Sequence, residues 1–403
     1  MIPLEEARQR ILSAIRPTGP ETVPLAAGWN RVLARPVVAR LTQPPADVSA
    51  MDGYAVRAAD AVTGATLTVT GAAPAGHPFA GQVGPGEAVR IFTGGFVPPG
   101  ADAILIQENA KAEGARLAVT EGVAVGRWIR RRGLDFAEGG ELLPAGRRLT
   151  ARDIGLAAAA NHPWLTVHRR PRIGILATGD EIALPGDPLP AGGIVSSNAH
   201  ALAAVIASAG GEGCILPIAP DDAGSIAALA GSGGYDLLVT TGGASVGEHD
   251  LVQKALGQST TPGGFALDFW KIAMRPGKPL IWGRLGAMPV LGLPGNPVSA
   301  LVCAVVFLLP ALARMQGLPD SGPRTIRAVA GVDLPENDQR ADHLRASLIP
   351  AEGGIVATPA ARQDSSMLAV LASADGLILR APFAPALPKG SVVEVIPLAA
   401  LGV

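Results

Sequence analysis

The second half of this chain is the part that most limits how it can fold. Four short apolar runs, RIGILAT, GCILPIA, YDLLVTT and MPVLG, lie between residues 172 and 292. Apolar runs of this length, bounded by turn residues, fit strands buried on both faces. Helical stretches near 198–209 and 222–230 separate the first three. Strand–helix–strand alternation predicts a parallel sheet with helices on both faces. The segment GFALDFWKIAMRPGKPLIWG, 264–283, inserts a hairpin-like excursion.

The rest of the chain has a different texture. Residues 3–16 and 146–161 read as helices, the second with Thr150 as its N-cap. From Met51 to about Val125, glycine and proline punctuate strand-like runs such as TLTVTG and EAVRIFTGG, the pattern of a small all-β unit. After Leu318 a PDSGP linker leads to further short strands, read as a small β-barrel. The expected fold class is therefore multidomain α+β and α/β: a central doubly wound parallel-sheet domain, a β-rich N-terminal insert domain and a C-terminal small β-barrel. The expected division is 1–45 with 140–170 as a discontinuous helical and linker unit, 46–139, 171–319 and 320–403.

Composition excludes several function classes. The 403 residues are 48% hydrophobic and 17% charged, enough for several cores and unlike a disordered chain. A formal net charge of -1 offers no global field for nucleic acid or an anionic membrane. The N-terminal MIPLEEARQRILSAI is not a secretory signal, and Cys214 and Cys303 read as buried free thiols, which fits a cytoplasmic protein. The most apolar run, Pro297 to Met315, is nearly long enough to span a bilayer, but Pro310 and the polar start at Asn296 favour a buried core helix.

Ligands of open parallel sheets bind beyond the carboxyl ends of the strands. Here those ends carry Gly179-Asp180-Glu181, then Asp221-Asp222, then Gly242 to Asp250, then Pro294-Gly295-Asn296-Pro297. Gly242 and Gly243 would let the backbone approach a ligand, Ser245 adds a hydroxyl, and a helix after Asp250 would point its positive end at a phosphate. Acids beside an anion site repel it unless a cation lies between them. Asp250, Glu181 and Asp221 are therefore candidate Mg²⁺ ligands, with helix capping as the alternative for Asp221, Asp222 and Asp250. Lys271, Arg275 and Lys278 suggest a second anion site, or a solvated face; Lys271 and Arg275, four apart in a strand-like stretch, could share one face. The segments around Asp52, Arg90 and Arg130 taken alone read as local turn chemistry.

The motifs SAMDGYAV, RIFTGG, PPGADAIL, RRRGLDF, ATGDE, GGASVGEHD, RPGKP and LPGNPVSA occur in this order over nearly all of residues 1–400. Together they resemble the MoeA family of molybdopterin molybdenumtransferases, whose relatives include the gephyrin E domain. The resemblance implies a homodimer of elongated four-domain subunits. It implies a reaction in which adenylylated molybdopterin and molybdate give molybdenum cofactor with Mg²⁺-dependent release of AMP, and leaves room for contact with the adenylyltransferase that makes the substrate. Matching positions make Asp250, Glu181 and Asp221 the acidic set at pterin and metal, and Lys271, Arg275 and Lys278 the basic set near phosphate and molybdate. Pro294 and Pro297 would shape the pocket wall; Asp52, Thr93 and Asp135 would reach it from the partner subunit; Arg345 and Ser365 would add anion contacts. His249, Arg275 and the QDSSM stretch at 363–367 depart from the family pattern, and the last leaves Ser366 as an alternative to Ser365. The rival readings are a gephyrin-like scaffold, the preceding adenylyltransferase or a nucleotide pyrophosphatase, and a tungstate-using paralogue.

Overall fold

The computed structural model describes residues 1–242, 251–319 and 322–403. Helix α1 spans Leu4–Ala14 and α2 Ala151–Ala159. Thr150 caps α2 in a reciprocal capping box with Asp153, as its sequence position predicts. Between these helices, β1 (Gly53–Val56), β2 (Thr66–Ala73), β3 (Glu87–Ile91), β4 (Ala103–Ile106), β5 (Ala110–Glu113) and β6 (Arg116–Val119) form one sheet in the order β4-β1-β3-β2-β6-β5. Strand β5, AKAE, has three exposed residues and no apolar alternation, so the sequence pattern passes over it. The strands Pro20–Pro24 and Trp164–His168 pair antiparallel, so the two flanks of this sheet meet, and Val23, Leu33, Leu149 and Leu165 share a core.

The central sheet contains β7 (Arg172–Ala177), β8 (Glu212–Ile215), β9 (Leu237–Thr241), β10 (Phe265–Lys271), β11 (Pro279–Leu285) and β12 (Met288–Leu293), in the order β8-β7-β9-β12-β11-β10. The first four are parallel; β11 and β10, the expected excursion, run antiparallel at one edge. Side chains alternate along each strand and feed two cores. Ile173, Ile175, Leu237, Val239, Leu291 and Leu293 face α3 (Asn198–Ser208) and the long apolar helix. Leu176, Leu238 and Val290 face α4 (Ala223–Ala230) and α5 (Leu251–Gly257).

The long helix runs as α6 (Pro297–Cys303), a π-helical segment (Ala304–Leu308) and α7 (Leu309–Met315). Pro310 cannot donate to the helix ladder, and the wider turn precedes it. By length and composition this helix could cross a membrane, but 83% of its most apolar window is buried inside the protein. It is a core helix of the central layer. Helix α1 contributes Ala7, Ile11 and Ile15 to that same core, so its apolar stripe is buried against the central layer.

The C-terminal strands are β13 (Ile326–Ala330), β14 (Ala341–Ala351), β15 (Gly354–Pro359), β16 (Gly376–Arg380) and β17 (Val392–Pro397). Their order β14-β15-β13-β17-β16 closes back on β14 as a five-stranded barrel. Helix α8 (Leu368–Ala372) lies between β15 and β16. A short strand from the central excursion, Met274–Arg275, pairs with Ala341 and Asp342 and so joins the two units.

Candidate functional site

A cavity of about 1080 Å³ opens at the carboxyl ends of β7, β9 and β12. Five of the expected site residues line it together: Glu181, Asp221, Gly242, Pro294 and Pro297. The backbone needs glycine at two of these turns. Gly242 has φ 90°, and a Cβ there would stand 2.6 Å from the Thr178 carbonyl oxygen. A Cβ on Gly179 would meet the Glu181 carboxylate at 2.6 Å, so that carboxylate folds back over its own turn.

The structure separates neighbouring acids that sequence left equivalent. Asp222 caps α4, accepting from the Gly224 and Ser225 amides at 3.0 and 2.9 Å. Hydrogen bonds from Ser225, then the Gly224 amide, hold its carboxyl below the usual range. Asp180 accepts from the Asp221 amide at 3.0 Å. Asp221 is left to line the cavity. Gly243, Ser245 and Asp250 lie outside the described residues.

The expected basic set does not gather in this cavity. Lys271 ends β10, its ammonium 3.7 Å from the centre of the Trp270 ring, and neither Lys271 nor Lys278 is among the lining residues. Lys271 and Arg275 do not share a face. Lys271 pairs with Pro279 in the central sheet, whereas Arg275 pairs with Asp342 in the barrel sheet. The chain turns between them because Ile272 and Met274 are buried in the central core. Arg275 donates through Nε to Asp342 Oδ1 at 2.6 Å and also bonds Asp338 and Asn337, each at 3.3 Å. The hydrogen bonds to Asp342 raise its pKa.

Arg275 and Arg345 line a second cavity, about 470 Å³, with His343 and Arg380. Arg345 is 1% exposed; its Nη2 donates to the Asp364 carbonyl at 3.0 Å, and its Nε has no partner among the described residues. Burial lowers its pKa. The Ser365 hydroxyl accepts from Asn296 Nδ2 at 3.0 Å and its carbonyl from the Val298 amide at 3.2 Å. Of the adjacent pair Ser365 and Ser366, it is Ser366 that lines the main cavity, its hydroxyl donating to Asp364 at 2.6 Å. Asn296 itself lines the main cavity, so Ser365 stands one hydrogen bond behind its wall.

Asp52, Thr93 and Asp135 belong to the N-terminal unit and do not line the main cavity. Asp52 Oδ1 accepts from both the amide and the hydroxyl of Thr93, at 2.7 and 2.8 Å. Those two bonds, the amide first, hold the Asp52 carboxyl below its ordinary value. Asp135 lines a third cavity, about 430 Å³, with Gln43, Gly94 and Arg130.

Sequence reasoning missed Lys254, Asn198 and Thr178. Lys254 is the one Lys or Arg among the described residues lining the main cavity. Its spacing of four from Asp250 on a helical pattern was the available signal. Asn198 also lines the cavity and donates to the Gly295 carbonyl at 2.7 Å, bracing the PGNP turn. Thr178, another lining residue, has a buried hydroxyl without a partner among the described residues.

Three family models match successive parts of the chain. The MoeA N-terminal region (domain I and II) matches residues 2–161, the probable molybdopterin binding domain 174–314, and the MoeA C-terminal region (domain IV) 327–398. A protein named molybdopterin molybdenumtransferase 2 from Mycobacterium tuberculosis is 38% identical over 386 residues, covering 93% of this chain and 94% of that one. Molybdopterin molybdenumtransferase from Haemophilus influenzae is 35% identical over 350 residues, covering 86% and 85%. A crystal structure titled as the molybdopterin biosynthesis MoeA protein of Pyrococcus horikoshii matches with TM-score 0.83 and 30% identity, over 98% of this chain and 99% of that one.

Proposed function

This chain belongs to the MoeA family, and from that premise we propose that it is a molybdopterin molybdenumtransferase of molybdenum cofactor biosynthesis. The observation that carries the reading is the cavity at the strand ends, where Glu181, Asp221 and Gly242 converge in a chain similar to such enzymes over most of its length. The reaction joins molybdate to adenylylated molybdopterin and releases AMP.

The donor set suits Mg²⁺. Asp222 is used as a helix cap and Asp180 as a turn cap, while Asp221 and Glu181 present carboxylates to the same cavity. Hard oxygen donors of this kind fit a hard cation. Glu181, Asp221 and Asp250 would hold it, and bound there it would neutralise phosphate charge. Gly242 keeps the wall low enough for a ligand to approach the backbone, and Pro294 and Pro297 hold the opposite turn rigid. Arg345, buried in the barrel with its Nε unpartnered among the described residues, is suited to a tetrahedral oxyanion such as molybdate. The cation at Arg275 is already satisfied by Asp342 and contributes by holding the barrel to the central unit.

Asp52, Thr93 and Asp135 complete the cleft from the second subunit of a homodimer. The Thr93 bonds keep Asp52 ionised and aimed. The chain works in the cytoplasm, receives its substrate from the adenylyltransferase of the pathway, and divides into a discontinuous N-terminal unit, a β-rich insert, the central unit and the barrel. Purified protein given adenylylated molybdopterin, Mg²⁺ and molybdate should release AMP stoichiometrically with cofactor formed. A run with tungstate in place of molybdate reads oxyanion preference. No AMP release above the rate without protein would sink the proposal.

A further inference from the structure

We infer that Lys254 binds a phosphate of the substrate's anhydride, an inference that rests on the function proposed above. The argument begins with helix α5. Its Val252, Ala255 and Leu256 are buried in the core between the central sheet and α4. That packing fixes the rotation of the helix about its axis. Residues three apart share a helical face, and Leu251 and Lys254 both line the main cavity. The lysine is thus aimed by the burial of its neighbours.

Charge then assigns the ligand. The charged groups among the described lining residues are the carboxylates of Glu181 and Asp221 and the ammonium of Lys254. Of the cations expected to serve this cavity, Arg275 and Arg345 line the second cavity, Lys271 lies against Trp270, and Lys278 is not among the lining residues. A phosphoanhydride entering beside two carboxylates needs a cation on the protein wall, and Lys254 is the described lining residue that supplies one. An ammonium is a compact point charge on a long stem and suits a phosphate without demanding one geometry. Its role is binding, so its removal should act on affinity more than on turnover.

The test compares wild type, Lys254→Gln and Lys254→Arg, with a melting curve on each. The probes are AMP, which carries one phosphate of the substrate, and adenylylated molybdopterin itself. Loss of a charge-assisted hydrogen bond should weaken binding of both by about tenfold or more in Lys254→Gln, with a shallower salt dependence. KM should rise by a similar factor with kcat within a few-fold. Lys254→Arg should stay within about threefold of wild type, since the charge remains. If the Gln variant fails to fold, Lys254→Met, which keeps the aliphatic stem, takes its place. Unchanged affinity and salt dependence in a folded neutral variant would overturn the inference, as would a loss confined to kcat. Wild type that binds neither probe would instead overturn the functional reading beneath it.

Discussion

Arg275 and Asp342 lock the central excursion to the barrel, the guanidinium donating to both carboxylate oxygens. The two ends of this pair are not equivalent. The Asp342 side chain is 6% exposed and that of Arg275 47%. Arg275→Ala would strand a buried carboxylate and should cost about 3 kcal/mol. Asp342→Asn leaves an arginine that can turn to solvent and should cost about 1 kcal/mol. Urea unfolding of both variants checks the order; equal losses would mean the burial asymmetry does not set the energetics.

His343, beside Asp342 on β14, is buried and its Nδ1 has no partner among the described residues. Desolvation pushes its pKa down to about 4 from an ordinary 6.5. The folded state therefore holds it neutral in the window where the unfolded chain binds a proton. Its contribution to stability is complete above pH 6.5 and is lost as pH falls toward 4, by up to about 3 kcal/mol. His343→Gln should flatten the fall in urea midpoint between pH 7 and pH 4.5. A variant as acid-sensitive as wild type would assign the effect to other groups.

The Asp52–Thr93 pair and Asp221 lie in different units of the chain, and in the proposed dimer they meet across subunits. Asp52→Ala and Asp221→Ala should each abolish most AMP release. Mixed after subunit exchange, they should regain activity, because a mixed dimer holds one intact cleft. Exchange shown by mass spectrometry with no recovery would refute a shared site.

The two cysteines differ in reach. Cys303 is fully buried, and desolvation raises its thiol pKa far above the ordinary range. Cys214 is partly exposed on the edge strand β8, which corrects the expectation that both are buried. Edge position decides this, since β8 pairs on one side only. A thiol reagent should therefore modify one cysteine in native protein and two in denaturant. Replacing both by Ala should leave AMP release within a few-fold.

Much of the fold was legible because local physics wrote it. Apolar runs with alternating faces marked β7, β8, β9 and β12, and the Thr150 cap marked α2. Strand β5 escaped because exposed edge strands carry no burial pattern. At the site, glycines at Gly179 and Gly242 and the acids Glu181 and Asp221 were readable because turns that approach a ligand need those residue types. Which carboxylate caps and which faces the cavity was not readable. Asp221 and Asp222 are adjacent and chemically alike, and only the entry angle of α4 tells them apart.

The sequence by itself determined the strand–helix alternation, the glycine turns and the family, since each depends on contacts within a few residues or on motifs in order. Tertiary structure alone decided the destinations of the cations. Arg275 went to Asp342, 67 residues away, while Lys254 was aimed into the cavity by the buried face of its helix. Long flexible side chains take whatever partner the fold brings within reach, and no local pattern encodes a partner that distant in the chain.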